Sequence, residues 1–239
     1  MIKLIAFDLD GTLSQHKSHL PDANKEILRK LSEKYKLLMV GAGNCPRIYN
    51  QMEAFPIDII GNYGMQYGEH DPATGELKLV RDDHLPCDRE SVEKRVNYFR
   101  EKCGWTEFAG ESVEYHPSGC VTFAILGTKA KQEDKLAFDP DRSKRRAIYK
   151  EVCEAFPEYV VFVGGSSSFD MAPKPFDKYH ALARYAEEHG YAHDEILFVG
   201  DDYGPGGNDE SVYVSDIPFC CIDDYTTTPE KLAYLLKED

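Results

Sequence analysis

Along the first sixty residues, continuous hydrophobic runs typical of buried strands alternate with hydrophobic residues at helical spacing. Residues 2–7 form an apolar run rich in strand-forming residues, which predicts a buried strand. A helix is predicted from Pro21, because the apolar residues that follow recur at helical spacing. Residues 36–40 and 57–60 predict further strands, with a second helix from Pro46 between them. This order predicts an α/β fold with a Rossmann-like, doubly wound parallel sheet.

The pattern then changes to that of a different kind of domain. A stretch rich in glycine and turn residues predicts a hairpin around residues 71–75. Two helical segments and about four antiparallel strands are predicted within residues 83–172, and the first pattern resumes at Pro173. We therefore predict a core of residues 1–82 and 173–239, with an α+β cap of residues 83–172 inserted into it. An interrupted domain of this kind is typical of a mobile lid over the sheet edge.

Two acidic residues, Asp8 and Asp10, follow the first predicted strand directly. In an open α/β sheet, ligands bind just beyond the carboxyl ends of the strands, so these acids lie where chemistry is usually done. Neighbouring carboxylates repel each other unless a cation or a shared proton relieves the repulsion. A solvated turn is the alternative for an isolated Asp-x-Asp, but the full string through Gly11 and Thr12 favours a functional site.

A second acidic segment, Gly200-Asp201-Asp202 with a glycine-rich continuation to Asn208-Asp209, also follows a predicted strand. Its glycines allow the backbone to turn tightly. A cation that relieves the repulsion between the first two acids could take a further oxygen ligand from this loop. A surface loop is the alternative for this segment taken alone.

The composition of the chain argues against some classes of binding partner and indicates its cellular compartment. The chain has 239 residues and a net charge of −14, which argues against a nucleic-acid partner because such binding needs a basic surface. A small phosphorylated molecule needs only a local cationic pocket. The seven cysteines have no paired spacing, as is typical of a reduced, cytoplasmic protein. No window approaches 18 apolar residues, so we expect no contact with a membrane.

The string Phe7-Asp8-Leu9-Asp10-Gly11-Thr12-Leu13 resembles the first signature of the haloacid-dehalogenase-like (HAD) phosphotransferases, and the later acidic loop resembles the last. The resemblance implies phosphoryl transfer through an aspartyl phosphate, with Asp8 as the nucleophile and Asp10 as the general acid and base. Lys178, at the start of a predicted helix, fits the cationic residue of that family. The ligands of Mg²⁺ implied by the resemblance are Asp8, Asp10 and Asp201, with Asn208 and Asp209 as supporting or further ligands.

The chain departs from that family after the second predicted strand. The family has a Ser or Thr there that holds the phosphate, whereas this chain reads Gly41-Ala42-Gly43-Asn44. We expect the Asn44 side-chain amide and the backbone around Gly43 to contact the phosphate instead.

A closer resemblance, to the eukaryotic-type phosphomannomutases, covers nearly the whole chain. It is carried by the opening and closing signatures and by the segments Asn62-Tyr63-Gly64, Gly164 to Asp170 and Phe176-Asp177-Lys178. In that family a Ser-Phe-Asp segment of the cap binds the sugar phosphate, which implies substrate contacts from Ser168 and Asp170. The related mutases dimerise through their caps, which implies a homodimer here.

Three arginines of that family are absent from this chain. Two belong to the cap, where the chain reads Pro117-Ser118-Gly119-Cys120 and Gly127-Thr128-Lys129. The third, after the opening motif, is replaced by Lys17, which we expect to contact the phosphate without the bidentate fork of an arginine. The basic run of residues 142–146 is expected to be solvated cap surface.

These departures from the family pattern allow the functional hypotheses to be ranked. A mutase must hold a second phosphate in the cap, whereas a phosphatase needs only one phosphate site and a water molecule. The sequence therefore favours a Mg²⁺-dependent phosphatase that acts on a phosphorylated sugar or similar small metabolite. The alternative is a phosphomannomutase-like isomerase that interconverts hexose 1-phosphate and 6-phosphate. A third hypothesis is a catalytically idle sugar-phosphate binding protein, because the second-strand hydroxyl is missing.

Overall fold

The computed structural model of the chain describes residues 1–16 and 18–237. In chain order, the strands and helices are β1 (Leu4–Phe7), α1 (Asp22–Ser32), β2 (Lys36–Val40), α2 (Cys45–Gln51), β3 (Asp58–Gly61), β4 (Gln66–Asp71), β5 (Glu76–Asp82), α3 (Arg89–Cys103), β6 (Val113–Tyr115), β7 (Val121–Ala124), α4 (Gln132–Phe138), α5 (Ser143–Ala155), β8 (Tyr159–Phe162), β9 (Ser168–Pro173), α6 (Lys178–His189), β10 (Ile196–Gly200), α7 (Glu210–Tyr213), β11 (Phe219–Cys221) and α8 (Thr228–Leu232). Short 3₁₀ helices lie at Asn62–Gly64, His193–Glu195, Tyr225–Thr227 and Ala233–Leu236. Within these described ranges, no helix is long and apolar enough to span a membrane.

Seven strands form one sheet in the order β11-β10-β1-β2-β3-β4-β5. The strands from β11 to β3 run parallel, and β4 and β5 extend the sheet as an antiparallel hairpin. Because β1 pairs with both β2 and β10, the chain winds outward from β1 in two directions. The topological switch point, where ligands bind in such sheets, therefore lies at the carboxyl end of β1. The predicted doubly wound α/β fold is confirmed.

The strand register brings the two acidic segments to one edge of this sheet. Phe7 of β1 is opposite Val199 of β10 and Met39 of β2. The backbone N–H of Asp8 donates to the Val199 carbonyl oxygen at 2.9 Å, so Asp8 continues the pairing by one residue. Asp201 follows Gly200, the last residue of β10, and therefore emerges beside Asp8.

Both faces of the parallel strands are buried in hydrophobic cores. On one face Ile5 and Phe7 pack within a core that includes residues of α1, α2 and α8. On the other face Leu4 and Ala6 pack against residues of α6. A strand covered on both sides needs apolar residues at every position, which explains the continuous apolar run that predicted β1.

The inserted segment forms a four-stranded antiparallel sheet in the order β6-β7-β9-β8. Residues of α3 and α5 share its core with Phe123 and Phe169, which are opposite each other on β7 and β9. Along these strands the polar residues alternate with the core residues, so Thr122 and Asp170 form a cross-strand pair on the other face. The predicted α+β cap fold is confirmed. It also contains α4, a helix that the hydrophobic pattern did not predict.

The chain divides into two compact units. The first contains Met1–Asp83, Asp177–Gly204 and Asp209–Asp239, and the second contains His84–Phe176 and Pro205–Asn208. The predicted domain division stays a prediction, and one segment differs from it. Residues 205–208, predicted within the core, belong to the second unit because they are bonded to it. Val163 N–H donates to the Gly206 carbonyl at 2.8 Å, and Arg146 Nε donates to the Pro205 carbonyl at 3.1 Å.

Candidate active site

A buried lysine joins two acids at the end of β1. Lys178 Nζ donates to Asp8 Oδ1 at 2.5 Å and to Asp209 Oδ1 at 2.6 Å, and Lys178 has no exposed surface. Burial by itself lowers the pKa of Lys178, but the charges and hydrogen bonds of Asp209 and Asp8 raise it above its ordinary value. The lysine is therefore held in its charged form between two carboxylates.

Close packing of α6 brings Lys178 to this position. The helix begins at Lys178, with the Asp177 side chain accepting a hydrogen bond from His180 N–H at 2.7 Å. Gly64 has a φ of 102°, and a Cβ added to it would lie 2.8 Å from the Cβ of Ala181, one turn after Lys178. A side chain at Gly64 would push the helix outward and move the lysine away from Asp8.

Asp209 organises the acidic loop as well as the lysine. It is completely buried, and its second oxygen, Oδ2, accepts hydrogen bonds from the backbone N–H groups of Asp201 at 3.1 Å and Asp202 at 3.0 Å. A Cβ on Gly200 would lie 2.6 Å from this oxygen, so only glycine allows the approach. Both Asp209 oxygens are thus occupied by groups of the protein.

Two residues of the opening motif (residues 7–13), Gly11 and Thr12, lie against the Asp201 side chain. Thr12 Oγ1 donates to Asp201 Oδ1 at 2.9 Å. Gly11 has a φ of 101°, and a Cβ there would lie 2.3 Å from Asp201 Oδ2. Burial, assisted by the charge of Asp209, raises the pKa of Asp201 to about 6.

Together these residues form an acidic cluster. One carboxylate oxygen each from Asp8, Asp201 and Asp209 lies within 4.8 Å of the others. Burial and the charges of Asp209 and Asp201 raise the pKa of Asp8 well above its ordinary value, although Lys178 opposes the shift. Three carboxylates and one lysine leave an excess of negative charge, and oxygen ligands of this kind suit Mg²⁺. The acidic cluster could therefore hold a metal ion.

Asp10, predicted to act beside Asp8, is not a member of the acidic cluster. Its Oδ1 accepts a hydrogen bond from Gln51 Nε2 and its Oδ2 one from Arg47 Nη2, both at 2.6 Å. His16 Nδ1 is 3.6 Å from Oδ2. Sequence reasoning missed Arg47 and Gln51. Their i, i+4 spacing on α2 placed them on one helix face, but it did not reveal that this face meets Asp10.

The loop after β2 is fixed against the end of β3. The Gly43 carbonyl accepts a hydrogen bond from Asn62 N–H at 2.8 Å, and a Cβ on Gly61 would lie 2.8 Å from that carbonyl oxygen. Asn44 is exposed, and its side-chain oxygen caps α2 by accepting from Arg47 N–H at 2.8 Å. Phosphate contacts from Gly43 and Asn44 stay predictions.

For two predicted site residues, Lys17 and Asn208, the structure shows no place in the acidic cluster. Lys17 lies outside the described residues. Asn208 belongs to the segment that forms part of the second unit, and it is not a member of the acidic cluster. Their predicted roles as phosphate contact and as metal ligand stay predictions.

In the second unit, Ser168 and Asp170 belong to a hydrogen-bonded group on the polar face of the sheet. Asp170 Oδ1 accepts from Thr122 Oγ1 at 3.0 Å and from Ser168 Oγ at 3.3 Å. His116 Nε2 is 3.2 Å from Thr122 Oγ1. Burial raises the pKa of Asp170. Sequence reasoning named Ser168 and Asp170 and missed the other two, because their place depends on the pairing of β7 with β9.

The expectation of a solvated basic run at residues 142–146 is wrong for Arg145, which has no exposed surface. Its Nε donates to Asp139 Oδ2 at 2.8 Å, and its Nη1 donates to the carbonyl oxygens of Gly164 at 2.6 Å and Ser168 at 3.0 Å. The ion pair with Asp139 offsets the desolvation cost of burying the Arg145 guanidinium. Arg145 therefore fixes the turn that leads into β9.

Comparisons with known proteins assign the chain to a family. A family model described as eukaryotic phosphomannomutase matches residues 24–237. The chain belongs to this phosphomannomutase family. It is 24% identical over 229 residues to a probable phosphomannomutase of Caenorhabditis elegans, covering 89% of this chain and 87% of that protein. It is also 26% identical over 224 residues to a phosphomannomutase of Triticum aestivum, covering 89% and 86% of the two chains.

Solved structures share the fold of this phosphomannomutase family member. An IMP-bound IMP-nucleotidase of Plasmodium falciparum aligns with a TM-score of 0.68 and 14% identity, over 98% of this chain and 68% of that one. A phosphatase of the HAD superfamily from Bacteroides thetaiotaomicron aligns with a TM-score of 0.63 and 17% identity, over 98% and 94%. These two alignments show that the chain shares the fold of these proteins.

Proposed function

We propose that the chain is a phosphomannomutase-type enzyme, which moves a phosphoryl group on a hexose phosphate through a covalent intermediate on Asp8. The observation that carries this proposal is the buried Asp8 carboxylate, bonded to Lys178 at 2.5 Å and grouped with Asp201 and Asp209. The family match over residues 24–237 supports a hexose phosphate as the substrate, because the relatives named above are phosphomannomutases. The sequence favoured hydrolysis over isomerisation, and the comparisons favour isomerisation.

The reaction has two half-steps that share the same residues. An Asp8 oxygen attacks phosphorus, the bond from phosphorus to the leaving oxygen breaks, and Asp10 supplies a proton to that oxygen. A sugar hydroxyl then attacks the phosphoaspartate, and Asp10 takes the hydroxyl proton while the Asp8 oxygen leaves. Lys178 offsets part of the repulsion between carboxylate and phosphate, which is about 4 kcal/mol for each pair of unit charges about 4 Å apart at an effective dielectric near 20.

The donor set of the acidic cluster fits Mg²⁺. Asp8 Oδ2 and Asp201 Oδ2 accept no hydrogen bond from the described residues, so these two side chains would hold the ion. When bound, Mg²⁺ would neutralise charge on the nucleophile and on the phosphate. Asp209, with both oxygens occupied, would hold Lys178 and the loop in place. Metal ligation by Asp10 and Asn208 stays a prediction from the resemblance.

Hydrolysis of a phosphorylated sugar is the second candidate. It is favoured by one observation, the absence of arginine from residues 117–120 and 127–129 of the cap. Arginine would bind a second phosphate with a bidentate fork, and a mutase must hold that phosphate while the other end reacts. With a weaker second site, water would replace the sugar hydroxyl as the acceptor. A homodimer through the cap stays a prediction.

Incubation of hexose 1-phosphates with the protein, Mg²⁺ and a hexose 1,6-bisphosphate primer tests the proposal. We expect hexose 6-phosphate to form faster than inorganic phosphate is released. Asp8→Asn should lower both rates by at least about 10³-fold, because it removes the nucleophile. Phosphate release without isomer formation would support hydrolysis instead. Activity of Asp8→Asn close to that of the wild type would contradict both candidates.

A further inference from the structure

Two cationic side chains bond to the acidic cluster or to Asp10. Lys178 bonds to Asp8 and Asp209, and Arg47 bonds to Asp10. A phosphate ester adds up to two further negative charges to this region. Positive charge to balance the phosphate is therefore expected from these side chains, from a metal ion or from other residues.

Lys178 has little capacity left for a phosphate. It is completely buried, and it already bonds to Asp8 and Asp209, which uses two of its three donors. Arg47 differs in both respects. Its side chain is 41% exposed, and within the described part of the chain it makes one hydrogen bond, to Asp10 Oδ2 at 2.6 Å. Since a guanidinium has five N–H donors, most of those on Arg47 are available.

Arg47 also lies beside the carboxyl ends of the strands that carry the site. A Cβ added to Gly43, just after β2, would lie 3.0 Å from Arg47 Nε and 3.1 Å from its Cζ. The guanidinium therefore covers the β2 loop while it reaches Asp10 in the loop after β1. These strands are neighbours in the sheet, so the group lies at the same edge as Asp8. The absence of a side chain at Gly43 gives the guanidinium this space.

We infer that Arg47 binds the substrate phosphate directly, as the exposed cationic fork of the site. The inference rests on the proposed phosphoryl transfer and adds the residue that recognises the phosphate. A planar guanidinium matches two phosphate oxygens in a bidentate contact. A bound phosphate also competes with Asp10 for Arg47, which frees one Asp10 oxygen for proton transfer. The competing explanation is that Arg47 only orients Asp10.

Calorimetric titration of inorganic phosphate in the presence of Mg²⁺ separates these explanations without relying on turnover. The variants are Arg47→Gln, Arg47→Lys, Asp10→Asn and the double variant Asp10→Asn/Arg47→Gln. Arg29→Gln is the matched control, because Arg29 is an exposed arginine of α1 paired with Glu26 in the same unit. Thermal unfolding of each variant checks that the fold is retained, and Arg47→Lys supplies the test if Arg47→Gln does not fold.

We expect Arg47→Gln to weaken phosphate binding by about 10- to 100-fold, the loss typical of hydrogen bonds to a charged group. Arg47→Lys should lose less, since it keeps the charge without the fork, and Arg29→Gln should match the wild type. The loss should persist when Asp10 is already Asn. A dissociation constant for Arg47→Gln within twofold of the wild type would overturn the inference, as would a loss that vanishes in the Asp10→Asn background.

The same titration distinguishes failure of this inference from failure of the proposed function. Wild-type protein that binds phosphate through Arg47 but turns over no sugar phosphate would contradict the proposed function alone. Turnover that is intact while Arg47→Gln binds phosphate as tightly as the wild type would contradict the inference alone. Wild-type protein that binds no phosphate at millimolar concentrations would also overturn the assignment of Arg47.

Discussion

The two units of this protein differ in whether their buried charges are balanced. In the α/β unit, three carboxylates share Lys178, so negative charge exceeds positive charge in the acidic cluster. In the α+β unit, the buried guanidinium of Arg145 is matched by Asp139, and its remaining donors reach backbone carbonyls. Acidic groups outnumber cations in the first arrangement, whereas the two charges of the second arrangement balance each other.

We interpret this difference as that between a proposed phosphoryl-transfer site and a charge pair that supports the local backbone. Uncompensated buried charge costs stability, and such groups cluster where a metal ion or a reacting substrate supplies the missing charge. A balanced buried pair adds no affinity for ions, but it holds the segment around Ser168 in one conformation. The neighbouring hydroxyl groups of Ser168 and Thr122 can then present fixed hydrogen bonds.

The largest expected effects on stability are those of Lys178→Met and Arg145→Met, which test this difference in charge balance. Each leaves a buried carboxylate without its partner, so we expect each to lower the free energy of unfolding by about 3–5 kcal/mol. Mg²⁺ should restore part of the loss in Lys178→Met, because the ion returns positive charge to the acidic cluster. It should leave the deficit of Arg145→Met relative to the wild type unchanged, because the ion stabilises these two proteins equally. Urea unfolding with and without Mg²⁺ measures both effects, and equal rescue of the two variants would refute the contrast.

Gly11→Ala tests whether the opening motif is shaped around Asp201. The new Cβ would lie 2.3 Å from the Asp201 carboxylate, so we expect Mg²⁺ affinity to fall by about 10- to 100-fold. Gly75→Ala is the matched control, since its φ of 73° is also positive but nothing lies within 4 Å. Both should lose about 1–2 kcal/mol of stability from backbone strain. Calorimetric titration with Mg²⁺ would contradict this account if both variants bound the ion equally well.

The pH dependence of Mg²⁺ binding follows from Asp201, whose pKa is raised to about 6 by burial. Because the ion needs the ionised carboxylate, affinity should fall by about tenfold per pH unit below 6. In the metal-free protein, a folded-state pKa above the unfolded value favours folding at low pH. This contribution is fully present below about pH 4 and is lost as the pH rises through about 6. Mg²⁺ affinities that agree at pH 5 and pH 7.5 would contradict the assignment.

Asp170→Asn should have the smallest effect and should depend on the substrate. The amide keeps the shape and can still accept from Thr122 and Ser168, so we expect stability to change little. If this group contacts a sugar, KM for a hexose phosphate should rise by about tenfold, the value of one lost charge-assisted hydrogen bond. Turnover of a generic aryl phosphate should match the wild type. An equal loss for both substrates would place Asp170 outside sugar recognition.

Most of the fold was predictable because local signals agreed with the global arrangement. The strand β2 occupies the predicted residues 36–40, and Gly190 ends α6 in the left-handed conformation that glycine favours. Two short elements of the cap, α4 and β6, have weak sequence signals, and α4 was not predicted. Helix α4 buries none of its residues, so no apolar stripe marks it, and β6 has only three residues.

The site was predictable only where it depends on the ends of strands. Asp8 and Asp201 follow β1 and β10, and the parallel pairing of these strands brings them together. Arg47 and Arg145 could not be placed in this way, because their partners depend on how helices pack on the sheets. A sequence pattern does not distinguish an arginine that reaches a buried acid from one that faces solvent.

The central place of β1 in the sheet has a consequence for synthesis of the protein. Lys178 lies 170 residues after Asp8, and Asp201 lies 189 residues after Thr12, to which it is bonded. Contacts of such high sequence separation form late, because the chain entropy of closing long loops must be overcome first. A nascent chain that has emerged only as far as Phe176 contains Asp8 but not Lys178, Asp201 or Asp209. The acidic cluster can therefore assemble only after the chain has been synthesised through Asp209.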